Sequence, residues 1–129
     1  MGSWYPVKFS FSVPLHPLGK ARPRVCRGHA FMPKAYTDWK RTFAIHAKSA
    51  LGCVGPFKTI TGPVEVYATF TTPTGNCRSD LDNCFGSVAD SLQDAGIIAN
   101  DRQIKSGSFA LSGRKGKDRI DITIEEIDG

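Results

Sequence analysis

The chain has 129 residues, of which 40% are hydrophobic and 22% charged, and its net charge at pH 7 is +5. This length fits one domain with its own core, and the composition excludes a largely disordered chain. No apolar run approaches the roughly 18 residues of a membrane-spanning helix. The first residues also lack the apolar core of a signal peptide, so we expect a cytoplasmic protein without a membrane partner. Residues 1–6 are expected to be a tag remnant or a disordered start.

The hydrophobic pattern of the first half predicts a strand, a long loop and a helix. Apolar and polar residues alternate over 7–13, which is typical of a strand with one buried face. Residues 18–36 contain two glycines and two prolines and show no regular period, so they predict a long loop. A helix is expected from a cap at Thr37 or Asp38 to Leu51, because apolar residues recur on one helical face.

The second half predicts a strand, a second helix and two further strands. Alternation over 64–71 indicates a strand, and a helix is expected from about Asp80 to Gly96. Residues 103–111 and 119–127 indicate the last two strands. The predicted fold is α/β (α+β), a single small domain of order β-loop-α-β-α-β-β with two main helices packed on one mixed sheet.

Charge is distributed unevenly along the chain. Up to residue 60 there are ten basic residues and one acid, whereas the remainder has seven basic and eleven acidic residues. The first part therefore carries +9 and the second −4. A basic part beside an acidic part predicts a surface that grips a polyanion next to a different kind of site.

Two carboxylates stand where the second helix is expected to begin, at Asp80 and Asp82. Acids in a first helical turn are favoured by the helix dipole alone. Paired carboxylates are also the oxygen ligands that Mg²⁺ prefers. Asp101 would strengthen the metal interpretation if the fold brought it close to this pair. Asp90 and Asp94 share a helical face with Asp82, and we expect that stripe to be exposed to solvent.

The sequence resembles the RusA-type Holliday junction resolvases over about residues 7–127. The resemblance is carried by the motif that starts the second helix, by two motifs after it, and by a basic run in the first loop. These are DLDN at 80–83, AGII at 95–98, NDRQI at 100–104 and KARPR at 20–24. Together they are far more specific than two spaced aspartates.

The resemblance implies a homodimeric endodeoxyribonuclease that acts in DNA recombination and repair. Members of this family, many carried by phages, make paired symmetrical nicks in four-way DNA junctions. They depend on Mg²⁺, with Mn²⁺ as a substitute, and no small-molecule cofactor is implied. The essential aspartates of the family fall on Asp80, Asp82 and Asp101, as catalytic residues and metal ligands.

Basic residues of the first part are expected to contact DNA phosphates, which positions the nucleic acid without reading its sequence. They are Lys20, Arg22, Arg24, Arg27, Lys34, Lys40, Arg41 and Lys48.

The chain departs from the family pattern at two positions. Asn100 replaces the first member of an acidic pair, and Gly86 stands where the family has a catalytic lysine. Glycine destabilises a helix by about 1 kcal/mol relative to alanine. The sequence shows no structural gain that would explain it. Lys105 or Arg102 could supply the missing charge. Alternatively, the chain is a RusA-like protein that binds branched DNA and cleaves it weakly or not at all.

A second alternative is a basic RNA-binding α/β domain. Such a domain would expose aromatic side chains on its sheet to stack on bases. Phe9, Phe11 and Phe70 instead alternate as core residues do.

The cysteines and histidines give no sign of a zinc site or of His-based catalysis. The four cysteines contain no CxxC pair, and we expect them to be reduced thiols. No histidine has a partner at catalytic spacing.

Overall fold

A computed structural model describes residues 8–52 and 58–127. The expectations for residues 1–6 and for Cys53 lie outside the described residues. The elements are β1 (Lys8–Val13), β2 (Arg24–Cys26), β3 (His29–Phe31), α1 (Lys34–Gly52), β4 (Val64–Thr71), α2 (Leu81–Asp94), a short 3₁₀ helix (Asp101–Gln103), β5 (Ile104–Leu111) and β6 (Arg119–Glu126). No helix in these ranges is long and apolar enough to cross a membrane.

The main sheet is mixed, as predicted, with the strand order β1-β6-β4-β5. Strand β6 pairs antiparallel with both β1 and β4. Strands β4 and β5 are parallel, which requires a crossover between them, and α2 provides it. The crossover sets the direction of α2, whose first turn follows the end of β4.

The core lies between the two main helices and one face of this sheet. Alternate residues of β4 and β6 are buried on that face, in the two-residue period expected of strands. They are Val64, Val66, Ala68 and Phe70 from β4, and Ile120, Ile122 and Ile124 from β6. Helix α1 adds Phe43 and Ala47, which confirms the predicted apolar face of that helix. The opposite face is polar, with Ser10 and Thr123 hydrogen bonded at 2.8 Å.

Helix α1 begins one turn earlier than predicted, at Lys34 rather than near Thr37. The carbonyl of Pro33 accepts the N–H groups of Tyr36 and Thr37, at 3.1 and 3.2 Å. The Tyr36 side chain is buried, so tertiary contact anchors this first turn. Residues 34–36, predicted to be part of the loop, therefore belong to the helix.

The segment predicted as a loop contains a β-hairpin, which adds β2 and β3 to the predicted order. The two strands pair antiparallel from Arg24↔Phe31 to Cys26↔His29. The connecting residues Arg27 and Gly28 both have positive φ, 51° and 79°, as in a type I′ turn. Every residue of the hairpin is exposed, so it lies outside the core.

Candidate active site

The predicted acidic pair lies at the start of α2. Asp80 is the N-cap residue, with extended backbone angles (φ −61°, ψ 141°) and no capping hydrogen bond from its side chain. Asp82 is in the first turn, where its Oδ1 accepts the N–H of Asn83 at 2.9 Å. Both aspartates are exposed. Two carboxylates therefore face solvent at the positive end of the helix dipole.

Asp101 lies near the other end of α2. Its backbone N–H donates to Oε1 of Gln93 at 2.8 Å. Gln93 follows Asp82 by 11 positions, about 16 Å along the helix axis and close to three complete turns. Asp101 therefore lies on the same side of α2 as Asp82 but three turns away.

Asn100 holds Asp101 in this place. Its side-chain oxygen accepts the N–H of Arg102 at 2.8 Å, and its own N–H donates to Oε1 of Gln103 at 2.7 Å. This reciprocal capping box fixes the start of the 3₁₀ helix. Asparagine at position 100 thus has a structural role, in which its amide oxygen is engaged by the backbone.

Within residues 8–52 and 58–127, no three His, Cys, Asp or Glu side chains come close enough together to hold a metal ion. The structure therefore does not gather Asp101 with Asp80 and Asp82 into one ligand group. The exposed pair alone fits Mg²⁺, because this ion is often held by one or two carboxylates plus waters and substrate phosphates. The two carboxylates of Asp80 and Asp82 agree with a magnesium site in which a substrate phosphate supplies a further ligand.

Two thiols lie beneath the acidic pair. The Sγ atoms of Cys77 and Cys84 are 3.5 Å apart, and Cys84 is buried in α2. Burial, the hydrogen bond with Cys77 and the nearby charges of Asp80 and Asp82 raise the pKa of Cys84 to about 12. The thiol is therefore neutral at pH 7. Among the residues that the structure describes, Cys26, Cys77 and Cys84 have free thiols.

The predicted DNA-contact residues fall into two groups. Most are exposed, and two of these, Arg24 and Arg27, belong to the hairpin of β2 and β3. Lys34 is exposed as well, although its amine pairs with Asp38 at 2.7 Å. The exposed members are Lys20, Arg22, Arg24, Arg27, Lys34, Arg41 and Lys48.

Lys40 differs from this group because its amine is engaged inside the protein. It lies 2.6 Å from Asp94 and 3.2 Å from Asp90, with only 14% of its side chain exposed. It also lies 5.0 Å from the centre of the Tyr36 ring. The expected solvent-exposed stripe is therefore wrong for Asp90, which is 19% exposed beneath Lys40 and Tyr36, whereas Asp94 is exposed although it pairs with Lys40.

The proposed substitutes for the missing lysine lie at the Asp101 end of α2. Lys105 is the extra residue of a β-bulge, since Val64 pairs with Ile104 and the next residue of β4 pairs with Ser106. Arg102 belongs to the 3₁₀ helix that contacts Gln93. Both side chains are exposed. Neither position lies at the first turn of α2.

The turn between β5 and β6 is a basic surface that lies outside the predicted DNA-contact residues. It carries Arg114, Lys115 and Lys117, all exposed. The N–H of Gly116 donates to the carbonyl of Thr72 at 3.1 Å, which joins this turn to the loop leading into α2. The signal was present as three basic residues within four positions, but their contact with the loop before Asp80 depends on the fold.

The fold and site define a small α+β domain in which exposed carboxylates are flanked by basic segments. The family model described as endodeoxyribonuclease RusA matches residues 14–125, and the chain belongs to this family. The match covers most of the chain, confirms the resemblance seen in the sequence, and implies endodeoxyribonuclease activity in general. No curated protein matches the chain.

Proposed function

We propose that this protein is a Mg²⁺-dependent endonuclease that resolves four-way DNA junctions by paired symmetrical nicks. The observation that carries the proposal is the exposed Asp80–Asp82 pair at the start of α2, in a chain of the RusA family. A protein that only gripped phosphates would gain nothing from two carboxylates placed where the nucleic acid binds, because like charges repel.

In this proposal Asp80 and Asp82 would hold Mg²⁺, and the scissile phosphate completes the site. Bound Mg²⁺ would activate water and offset negative charge at the phosphate. Asp101 is the third proposed catalytic carboxylate. The capping box holds Asp101 three turns along α2 from Asp82. We therefore propose that Asp101 does not share the metal ion held by Asp80 and Asp82 but makes a separate contact.

The basic segments would position the arms of the junction. The hairpin carries Arg24 and Arg27 away from the core, and the turn with Lys115 lies beside the loop that precedes Asp80. Contacts with phosphates fix position without reading base sequence. We propose a homodimer as the acting form, since a two-fold pair of sites matches two symmetrical nicks.

The test compares a synthetic four-way junction with a linear duplex of the same sequence, each in Mg²⁺, Mn²⁺ or chelator. We expect paired nicks in the junction only, dependent on the metal ion and lost in Asp80→Asn. That variant retains the size of the side chain but removes the charge. Equal cutting of linear duplex, or cutting in chelator, would contradict the proposal.

Gly86 favours a second candidate, a branched-DNA-binding protein that cleaves weakly or not at all. Tight junction binding without product in either metal ion would select it. The RNA-binding alternative receives no comparable support, because Phe11 and Phe70 are buried in the core. The polar face of the sheet carries Glu65 and Glu125, which would repel a phosphate backbone.

A further inference from the structure

A lysine from the first loop lies across the one glycine of α2. A Cβ atom built on Gly86 would be 3.5 Å from Cδ and 3.6 Å from Cβ of Lys20. These are ordinary van der Waals distances, so the stem of Lys20 covers the bare backbone of the helix. A long side chain at position 86 would occupy the space that this stem fills. The packing leaves room for a Cβ atom at position 86 but not for a longer side chain in the space that Lys20 fills.

The loop is fixed to α2 on both sides of this contact. The N–H of Lys20 donates to the carbonyl of Asn83 at 3.2 Å, and the Ser87 hydroxyl donates to the carbonyl of Leu18. Between them, a Cβ on Gly19 would come within 2.7 Å of the Asn83 side chain. Three successive residues of the loop thus contact the first two turns of the helix, and the backbone of Lys20 is held in one place.

Lys20 contacts α2 one turn after Asp82. Gly86 follows Asp82 by four residues, so the two occupy the same face of α2 one turn apart. The charge of Lys20 also reaches Asp90, one turn further. Burial alone would raise the pKa of Asp90, but hydrogen bonds from Tyr36 and Lys40 and the charges of Lys40 and Lys20 hold it below its usual range. The stem of Lys20 therefore lies one turn from Asp82, and its charge acts on Asp90.

We propose that Lys20 is a catalytic residue of the proposed nuclease, supplying from the loop the positive charge that α2 itself lacks at Gly86. The inference rests on the proposed function. It replaces Lys105 and Arg102 in this role, because those residues lie at the Asp101 end of the helix. Fixed cations placed where charge develops in a transition state are among the strongest contributors to catalysis.

The step is hydrolysis of one phosphodiester. The oxygen of a water molecule bonds to phosphorus, and the bond between phosphorus and O3′ breaks with its electron pair remaining on O3′. One proton of the water ends on O3′, and the other remains with the 5′ phosphate. Negative charge on the phosphate oxygens increases as the water adds. The Lys20 ammonium stabilises that charge and remains protonated.

Single-turnover cleavage of a four-way junction in Mg²⁺ tests the role of Lys20. We expect Lys20→Met to cut about 100-fold more slowly or worse. Its affinity for the junction in chelator should fall by less than about tenfold, as for the loss of one phosphate contact. The matched control is Lys8→Met, because Lys8 is an exposed lysine on the first strand, whose exposed residues face away from the helices. This control should cut at the wild-type rate.

The double variant Lys20→Ala/Gly86→Lys moves the amine from the loop to the helix and also removes the stem that would occupy its space, with Lys20→Ala as its reference. We expect it to regain at least tenfold of the lost rate, which a purely structural role of Lys20 would not permit. Lack of recovery would contradict the equivalence of the two positions.

Normal cutting by Lys20→Met overturns the inference and leaves the proposed nuclease standing. Equal losses in rate and affinity would make Lys20 a DNA contact only, which also overturns it. If the wild-type protein cuts in neither Mg²⁺ nor Mn²⁺, the proposed function itself fails.

Discussion

Tyr36 shows how one residue connects the two helices beneath the candidate site. Its ring is buried and its hydroxyl donates to Oδ2 of Asp90 at 2.7 Å. Burial and the neighbouring carboxylate raise the pKa of Tyr36 far above its usual value, so the hydroxyl stays protonated and remains a donor. Lys40 contacts the same oxygen of Asp90 at 3.2 Å. The carboxylate therefore depends on both partners, and α2 depends on α1 for its position.

Tyr36→Phe tests this connection by removing only the hydroxyl. A hydrogen bond to a charged group contributes about 1.5–3 kcal/mol, and we expect the free energy of unfolding to fall by about 2 kcal/mol. The measurement is urea denaturation at pH 7. The matched control is Tyr67→Phe, whose exposed hydroxyl donates to Glu65 and should leave the midpoint unchanged. Equal midpoints for the two variants would contradict the importance of the Asp90 contact.

At the scale of the element, the hairpin of β2 and β3 depends on its turn more than on packing. All of its residues are exposed, including Val25 at 73%. An exposed two-stranded hairpin is only marginally stable. Its pairing therefore rests on the positive φ angles of Arg27 and Gly28.

Gly28→Ala should weaken the hairpin, because a left-handed backbone conformation costs a residue with a Cβ atom about 1–2 kcal/mol. We expect faster amide exchange in the β2–β3 pair and weaker junction binding. The thermal midpoint of the domain should not change, since the hairpin contributes nothing to the buried core. Gly62→Ala is the control, because an added Cβ there meets only Glu126 at 3.8 Å. Unchanged exchange in Gly28→Ala would show that the turn does not hold the hairpin.

The sequence predicted those elements whose residues carry a periodic signal. Strand β6 alternates buried isoleucines with polar residues, and α2 ends at Asp94, two residues before Gly96, whose φ of 75° only glycine adopts easily. The hairpin gives no such signal, because neither of its faces is buried and its turn uses Arg27 instead of asparagine or aspartate. Helix α1 starts one turn before the predicted residue because Tyr36 is anchored by Asp90. This contact joins distant parts of the chain, so the local sequence pattern does not show it.

The candidate site was predictable in its residues but not in its geometry. The motif around Asp80 and Asp82 identified the start of α2 from local spacing alone. The distance from this pair to Asp101 depends on the hydrogen bond between the N–H of Asp101 and the side chain of Gln93. Residue spacing in the sequence does not predict that bond. The contact of Lys20 with Gly86 likewise joins a loop to a helix far along the chain. Side chains gathered by tertiary structure therefore required the fold.

At the scale of the whole molecule, some of the acidic and basic residues that are separated in the sequence also lie on different sides of the fold. The polar face of the sheet holds Glu65 directly opposite Glu125, and Asp121 lies four positions away along β6, paired with Arg119 at 2.6 Å. The hairpin and the loop that carries Lys20 belong to the basic first part of the sequence, up to residue 60. The side chain of Lys20 packs against α2 at Gly86. The two opposed glutamates of this face would repel a polyanion, whereas the exposed basic residues of the hairpin and of the Lys20 loop would attract it. DNA held by the Lys20 loop would lie next to the first two turns of α2, which this loop contacts.

The salt dependence of junction binding distinguishes basic residues that contact DNA from those engaged within the protein. Each lysine or arginine that neutralises a phosphate steepens the fall of log K with log salt concentration by about 0.9. Arg24→Gln should reduce that slope by about one and leave stability unchanged, because Arg24 is exposed on the hairpin. Lys40→Gln should leave the slope unchanged but lower stability, because it leaves Asp90 and Asp94 without their partner amine. The measurement is junction affinity in chelator across a series of salt concentrations, with urea denaturation of each variant. A slope reduced by about one in Lys40→Gln would show that DNA binding frees this amine from its carboxylates.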